Sequence, residues 1–385
     1  MKTIAEINER IKQGRAVVLT AEEMTKAVKE MGAEKAAKEI DVVTTGTFSP
    51  MCSSGMLFNI GQTEAPTLRA SKMWLNDVPC HAGLAAVDGF VGATEMREGD
   101  PLNQVYPGEF HYGGAHVIED LIAGRKVKLR CESYTTDCYP KKSFEREITI
   151  HDLKYAHMLN PRNCYQNYNV AVNENAHKTL YTYMGALKPH LQNANFATSG
   201  ELSPLFNDPY FKTIGLGTRI FLGGGIGYVI GSGTQHVPNP KRTEKGVPMS
   251  ASGTLMVKGD MKAMSDRYVR AHSLFGYGVS LAVGIGIPIP VLNAEIAQYT
   301  GVGNEDILMP VKDYSLDYQN CSSRVIKHVS YAELISGSID IDGKKVPTHP
   351  LTSYQRSLEI AEELKKRIEK GAFLLTQPVE NIEAY

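Results

Sequence analysis

The 385-residue chain is predicted to adopt an α/β fold, a mixed sheet layered with helices, on three observations. Its first 60 residues alternate helix-period and strand-period segments at short spacing, the pattern of an α/β layer rather than an all-α or all-β domain. Its apolar runs are short and β-branched, as strands buried on both faces are. Its 35 glycines fall largely inside apolar runs, where they permit tight turns and close backbone approach. Glycine-rich strands are therefore expected to line the pocket. The length suits one large domain or two intimately packed ones. The basic, proline-rich stretch 238–248 is the natural boundary, leaving 1–240 as an α/β part with most of the cysteines and 249–385 as a second α/β part.

Thr3-Ile4-Ala5-Glu6 is a capping box, and Ile4, Ile7 and Ile11 share one face of a helix ending at Gly14. Residues 16–19 read as a strand. Thr20-Ala21-Glu22-Glu23 caps a second helix with Met24, Val28 and Met31 on one side, and a helical piece at 34–39 feeds the strand 42–47. Short strands are expected at 56–60, 84–87, 90–93, 124–129, 145–150 and 168–172, the last inside an Asn- and Tyr-rich loop, 160–175. Residues 214–233 are apolar and glycine-laden. Beyond the boundary, 253–258 reads as a strand, 264–272 as a helix and 274–292 as a buried helix-turn-strand. Segments 305–313 and 317–329 follow, then a hairpin at 338–346 turning on Asp342-Gly343. A helix over 354–370 closes the pattern, with Leu358, Ala361, Leu364 and Ile368 inward and Gly371 after it.

The charge is almost balanced, 41 Lys+Arg against 42 Asp+Glu, which argues against nucleic acid or an anionic membrane as partner. Residues 274–292 are uncharged and about long enough to span a bilayer. However, Gly276, Gly278, Gly284, Gly286, Pro288 and Pro290 favour a buried segment of a water-soluble enzyme. No leader pattern precedes the first helix. The six cysteines, Cys52, Cys80, Cys131, Cys138, Cys164 and Cys321, are scattered rather than dense, so a reducing, cytoplasmic location is expected.

The chain is organised around 40–59, IDVVTTGTFSPMCSSGMLFN. A strand, a Ser49-Pro50 break and then small polar residues is how α/β proteins present a reactive side chain beside free backbone N–H groups. Cys52 would meet amide dipoles there, and a helix N-terminus if one follows, both of which favour thiolate. The alternative is a small buried cysteine, the commoner fate of that residue. Ser53 and Ser54 stand beside it as candidate substrate-binding residues. In the second cysteine neighbourhood, Cys138 lies in a polar turn just before Lys141 and Lys142, and cations lower a thiol's pKa. Cys131, at a strand end, reads more readily as core. Two accessible thiols can hold sulfur as a persulfide and resolve it through a disulfide.

Other chemistries are weaker. Cys80-His81, His111 with His116, and His151 with His157 lack the spacing of a structural zinc site, and no iron–sulfur run exists, so no metal is expected. Gly223-Gly224-Gly225-Ile226-Gly227 lacks the Lys-Ser/Thr of a phosphate loop and the later acidic residue of a dinucleotide fold. Gly224 and Gly225 are read instead as close strand packing or as N–H groups lining a substrate pocket. Arg69 and Arg219 are candidate carboxylate clamps, although each is more often an ordinary surface or ion-pair arginine. Trp74 reads as core.

The segments AEINERIKQGRAVVLTAEEM, EIDVVTTGTFSPMCSSGMLFNIGQ, TDCYPKK, SGELSPLFNDP, GTRIFLGGGIGYVIGSGTQH and GIGIPIPVLN resemble the homocysteine-biosynthesis, sulfur-incorporation family, whose members are L-aspartate semialdehyde sulfurtransferases. The resemblance runs from about residue 3 to about residue 370 and does not include the pair of CBS modules into which many archaeal relatives continue. It implies conversion of L-aspartate semialdehyde, reduced sulfur and two electrons to L-homocysteine through cysteine-bound sulfur. It implies no cofactor on this chain, with electrons from a small ferredoxin-like iron–sulfur protein; a homo-oligomer is compatible. The family's MCSSG cysteine is Cys52, and its second functional cysteine falls in the segment of Cys131 and Cys138. TDCYP assigns it to Cys138, with Cys131 as the fallback. A proton for the aldehyde oxygen could come from His81, His111 or His116. Two rival readings are a nucleotide- or CoA-binding enzyme using the Gly223–Gly227 loop, and a non-catalytic persulfide carrier.

Overall fold

A computed structural model describes residues 1–315 and 324–382. Both N-terminal capping boxes form. Thr3 and Glu6 cap the Ile4–Lys12 helix, and Thr20 and Glu23 cap Ala21–Met31, each pair satisfying backbone N–H groups that a helix start leaves open. Ile4, Ile7 and Ile11 are buried on the predicted face. The Tyr354–Glu369 helix buries Ile360, Ala361, Leu364 and Ile368. Gly46 lies so close beneath it that a Cβ there would overlap the Ser357 carbonyl. The hairpin Ser338–Ile341 to Lys344–Pro350 turns through Asp342 and Gly343 at φ 49° and 81°, the left-handed pair such a two-residue turn requires.

The fold is mixed α/β. A sheet of 13 strands runs, in spatial order, through Val269–Leu274, Gly278–Gly286, Arg219–Leu222, Gly225–Ser232, Leu255–Asp260, Tyr155–Asn163, Gly55–Asn59, Asp88–Gly92, Val78–Ala82, Lys72–Leu75, Val127–Glu132 and Ser143–Ile148. Thr47–Pro50 branches from Gly278–Gly286. Strands from both sides of 238–248 share this sheet, and its neighbours are antiparallel throughout. Two smaller sheets are mixed. One orders Val325–Ser330, Leu308–Asp313, Val170–Val172, Ala194–Phe196, Lys344–Pro350 and Ser338–Ile341, with two parallel pairings. The other pairs Val18–Thr20 parallel to Val42–Thr44 and that strand antiparallel to Pro288–Pro290. Separate apolar clusters fill the large sheet and the six-stranded sheet.

Three expectations are corrected. Residues 264–272, read as a helix, enter the strand Val269–Leu274, which pairs along its whole length with Gly278–Gly286. That partner strand is buried at every position; a strand covered on both faces shows no alternation, so 274–292 mimics a buried helix in sequence. Residues 84–87, read as a strand, form a turn before Asp88–Gly92. The Gly114–Ile122 helix was not anticipated, because its N-cap is Gly113 and no side chain caps it. Of the segment 317–329, residues 317–323, Cys321 among them, lie outside the described residues; Val325–Ser330 is a strand.

Candidate active site

The site sits where the two larger sheets meet. The Tyr155–Asn163 strand belongs to the 13-stranded sheet and Val170–Val172 to the six-stranded one. The Asn- and Tyr-rich stretch between them crosses from one to the other. Beside it, the Thr47–Pro50 strand ends in a turn at 51–54 that leads into Gly55–Asn59 rather than into a helix. Between them lies a cavity of about 430 Å³, within the range of roughly 300–1,000 Å³ typical of small-molecule sites.

Cys52 is carried on that turn, partly exposed, and lines the cavity. Its Sγ donates to Ser280 Oγ at 3.4 Å, so the glycine-rich Gly278–Gly286 strand backs the thiol. The turn is held from below. Met51 N donates to Leu281 O at 2.7 Å and Ser54 N to Met51 O at 3.1 Å. Asn160, wholly buried, donates through Nδ2 to Ser54 Oγ at 2.8 Å and accepts at Oδ1 from Arg162 N at 3.1 Å. Ser53 Oγ donates to the Arg162 carbonyl at 3.0 Å. A buried amide satisfied on both ends fixes a loop more firmly than apolar packing does.

The rest of the lining is largely aromatic and cationic. Tyr165, Tyr168, Tyr183, Tyr277 and Tyr314 all line the cavity. Tyr165 meets Tyr168 edge-on at 4.8 Å between ring centres, and the hydroxyls of Tyr183 and Tyr314 lie 3.0 Å apart. Burial, reinforced by Tyr314 and Tyr168, pushes the Tyr183 hydroxyl far above its ordinary pKa, so it stays protonated. Burial also raises Tyr165, and the Arg162 charge partly offsets it. Arg162 is partly buried, and its guanidinium has no hydrogen-bond or ion-pair partner among the described residues. Lys312 is the other cation of the lining, which contains no Asp, Glu or His among the described residues. An arginine without a carboxylate, at a cavity without acids, is suited to bidentate capture of an anionic ligand.

The chain matches a known family and several proteins within it. The family described as "Homocysteine biosynthesis enzyme, sulfur-incorporation" matches residues 16–375. The chain belongs to this family. It is 47% identical over 381 residues to an L-aspartate semialdehyde sulfurtransferase of Methanosarcina acetivorans, covering 99% of this chain and 72% of that protein. It is 48% identical over 395 residues to the protein of the same name in Methanocaldococcus jannaschii, covering 99% and 73%. An uncharacterized protein of Methanothermobacter thermautotrophicus is 29% identical over 345 residues, 87% of this chain and 72% of that one. No solved structure matches. The chain is thus an enzyme of the sulfurtransferase kind.

Of the residues singled out in sequence, the structure brings Cys52 and Ser53 to the cavity, with Ser54 buried directly behind them. It places the others elsewhere. Cys138 is exposed on a turn closed by mutual backbone bonds of Thr136 and Tyr139. That turn follows the Glu132 end of Val127–Glu132, whereas the Cys52 turn precedes the Gly55 end of Gly55–Asn59. By the registers the two turns leave the large sheet at opposite ends of its strands, from strands four spacings apart. That is roughly 19 Å along the sheet at ~4.8 Å per strand. Cys131 is wholly buried, opposite Met73 and Phe144, and burial pushes its thiol up to about 12. Arg69 is exposed near Cys138, stacked over Tyr134. Gly224 and Gly225 belong to the turn joining Arg219–Leu222 to Gly225–Ser232. That turn lies against Met264, Ser265 and Tyr268, and the Gly224 carbonyl accepts from Arg367 at 2.9 Å.

His81 and His111 are exposed, the latter paired with Glu109, while His116 stacks on Tyr112; none lines the cavity. Among the described residues no group of three His, Cys, Asp or Glu is placed to hold a metal, and no helix is long and apolar enough to cross a membrane.

Sequence reasoning missed Arg162, Cys164, the tyrosine wall and Lys312. For Arg162, Cys164, Tyr165 and Tyr168 the available signal was the composition of 160–175 itself, a polar, aromatic stretch that interrupts apolar strands and needs partners for its side chains. Tyr183, Tyr277, Lys312 and Tyr314 come from distant segments and carried no local signal.

Proposed function

We propose that this enzyme converts L-aspartate semialdehyde to L-homocysteine with sulfur carried as a persulfide on Cys52, loaded there as sulfane sulfur from a persulfide or polysulfide donor. The observation that supports it best is a cysteine turn opening on a cavity that, among the described residues, has no acid and holds an arginine without a partner. In this reading Arg162 takes the α-carboxylate of the substrate as a charge-assisted pair, which turns the aldehyde carbon toward Cys52. Two electrons and two protons cleave the persulfide to the Cys52 thiol and hydrogen sulfide; that sulfide adds to the aldehyde carbon, water leaves, and two more electrons and two protons reduce the thioaldehyde to the thiol. The balance is one aldehyde, one Cys52 persulfide, four electrons and four protons giving one thiol, the free Cys52 thiol and one water. With no histidine lining the cavity among the described residues, a tyrosine hydroxyl, Tyr165 by its place beside Arg162, donates the hydrogen bond that polarises the aldehyde oxygen.

Electrons come from a ferredoxin-like iron–sulfur protein, the donor that the family resemblance implies, and the chemistry suits the reducing cytoplasm. Cys138, exposed on its own turn, would meet a sulfur-donating partner at the surface rather than the aldehyde.

The test is anaerobic incubation with L-aspartate semialdehyde, a small polysulfide as sulfur donor and a low-potential reductant, followed by derivatisation and chromatography. Homocysteine formed in proportion to enzyme is the expected result. Loading of Cys52 with sulfur, without homocysteine under any reductant, would replace this reading by a persulfide carrier.

A further inference from the structure

Cys52 is not the only sulfur at the cavity. Cys164 also lines it, at the first residue of the crossing between the two sheets. The two cysteine segments touch: Ser53, next to Cys52, donates to the carbonyl of Arg162, two residues before Cys164, at 3.0 Å. Asn163, wholly buried, accepts the Cys164 N–H on its own Oδ1 at 2.6 Å and leaves its Nδ2 without a partner among the described residues. Cys164 itself adopts φ 52°, a left-handed conformation unusual for any residue but glycine or asparagine. Such outliers persist where the surroundings hold them, and they gather at functional sites.

We propose that Cys164 is the thiol that resolves sulfur held on Cys52, so that the working pair is Cys52 and Cys164. This rests on the persulfide reading of the site given above. In the step, Cys164 sulfur attacks the Cys52-bound sulfur of the persulfide. A Cys52–Cys164 disulfide forms, the bond to the outer sulfur breaks, and that sulfur leaves with the Cys164 proton as hydrogen sulfide. The persulfide's outer sulfur is reduced and the two cysteine sulfurs are oxidised by two electrons in total. An external dithiol, or a low-potential iron–sulfur protein, returns two electrons and two protons to reopen the disulfide. Burial pushes the Cys164 thiol up to about 12, so it is protonated at neutral pH. Because the thiolate is the attacking form, its proton passes to the ionised outer sulfur of the persulfide as the attack begins, and that sulfur then leaves as hydrogen sulfide. Sulfide is then set free inside the cavity that holds the aldehyde, rather than in bulk solvent.

The alternatives fit less well. Cys131 faces the core and Cys138 is exposed on a turn beyond the other end of the strands, and neither lines the cavity.

The experiment loads the full chain with sulfane sulfur using a small polysulfide, removes excess donor, and follows a single release event without added reductant. Free thiols are then alkylated and the peptides mapped by mass spectrometry. The wild type should release about one sulfide per loaded Cys52 and yield a peptide pair joined through Cys52 and Cys164. Cys164→Ser should still load Cys52 but release sulfide at least about 100-fold more slowly. A disulfide from Cys52 to Cys131 or Cys138, or release from Cys164→Ser at the wild-type rate, overturns the proposal. The wild-type disulfide map keeps the test decisive should the variant fold poorly. It is also read without homocysteine synthesis, so failure of the substrate assignment and failure of the dithiol are told apart.

Discussion

Ser53 Oγ and the carbonyl of Arg162 meet at 3.0 Å, and this one hydrogen bond is the seam between the two segments on which the chemistry depends. On one side is the turn that presents Cys52; on the other are the end of the Tyr155–Asn163 strand, with Arg162, and the crossing that supplies Cys164 and Tyr165. The way that seam is built sets what should happen when its members are changed.

Cys52 is partly exposed on a turn and contributes little packing. Cys52→Ala is therefore expected to abolish homocysteine formation while changing unfolding free energy by no more than about 0.5 kcal/mol. Activity assays paired with denaturant titration check both halves, and wild-type turnover by the variant would reject a role for this thiol.

Arg162 has no partner to lose among the described residues, so replacing it should weaken ligand binding and not the fold. Arg162→Gln is expected to raise KM for L-aspartate semialdehyde about 10- to 100-fold, the worth of a charge-assisted pair of about 1.5–3 kcal/mol. kcat should change far less. An aldehyde lacking the carboxylate should be handled equally by both enzymes; steady-state kinetics with the two substrates decides.

Asn160 ties the Cys52 turn to the strand beneath through both ends of its amide. Asn160→Ala would leave Ser54 Oγ and the Arg162 N–H short of a partner in a buried setting, at a cost of about 1–3 kcal/mol. We expect a lower denaturation midpoint with an unchanged m-value, and a fall in kcat as the turn loosens.

Burial pushes the thiols of Cys131 and Cys164 up to about 12. A folded-state pKa raised above the unfolded value of about 8.5 means the thiol form is favoured by folding. The associated stability is complete below that value and is lost as pH climbs toward 12. Unfolding free energy should thus fall steadily above about pH 9, and replacing Cys131 with Ala should flatten part of that slope. Native alkylation at neutral pH should label exposed Cys138 before either buried thiol, as peptide mapping will show.

Much of the secondary structure was legible before folding was considered. The capping boxes at Thr3 and Thr20, the Asp342-Gly343 turn and the closing helix are local events, decided within a few residues by hydrogen-bonding side chains and turn chemistry. The Gly278–Gly286 strand was not legible, because burial on both faces erases the alternation that marks a strand. Cys52 was recognisable from its strand-turn setting. Cys138 looked equally reactive beside its lysines, and nothing in its own segment reveals that it lies beyond the opposite end of the strands.

The chain by itself determined the family, the α/β class and the presence of a cysteine turn after a short strand, since each rests on residues adjacent in sequence. Only the tertiary structure decided which groups share the cavity with that turn. Arg162, Cys164, Tyr165 and Tyr168 reach it because the chain passes there from one sheet to another, and strand pairing between distant segments is set by burial and register rather than by any local pattern.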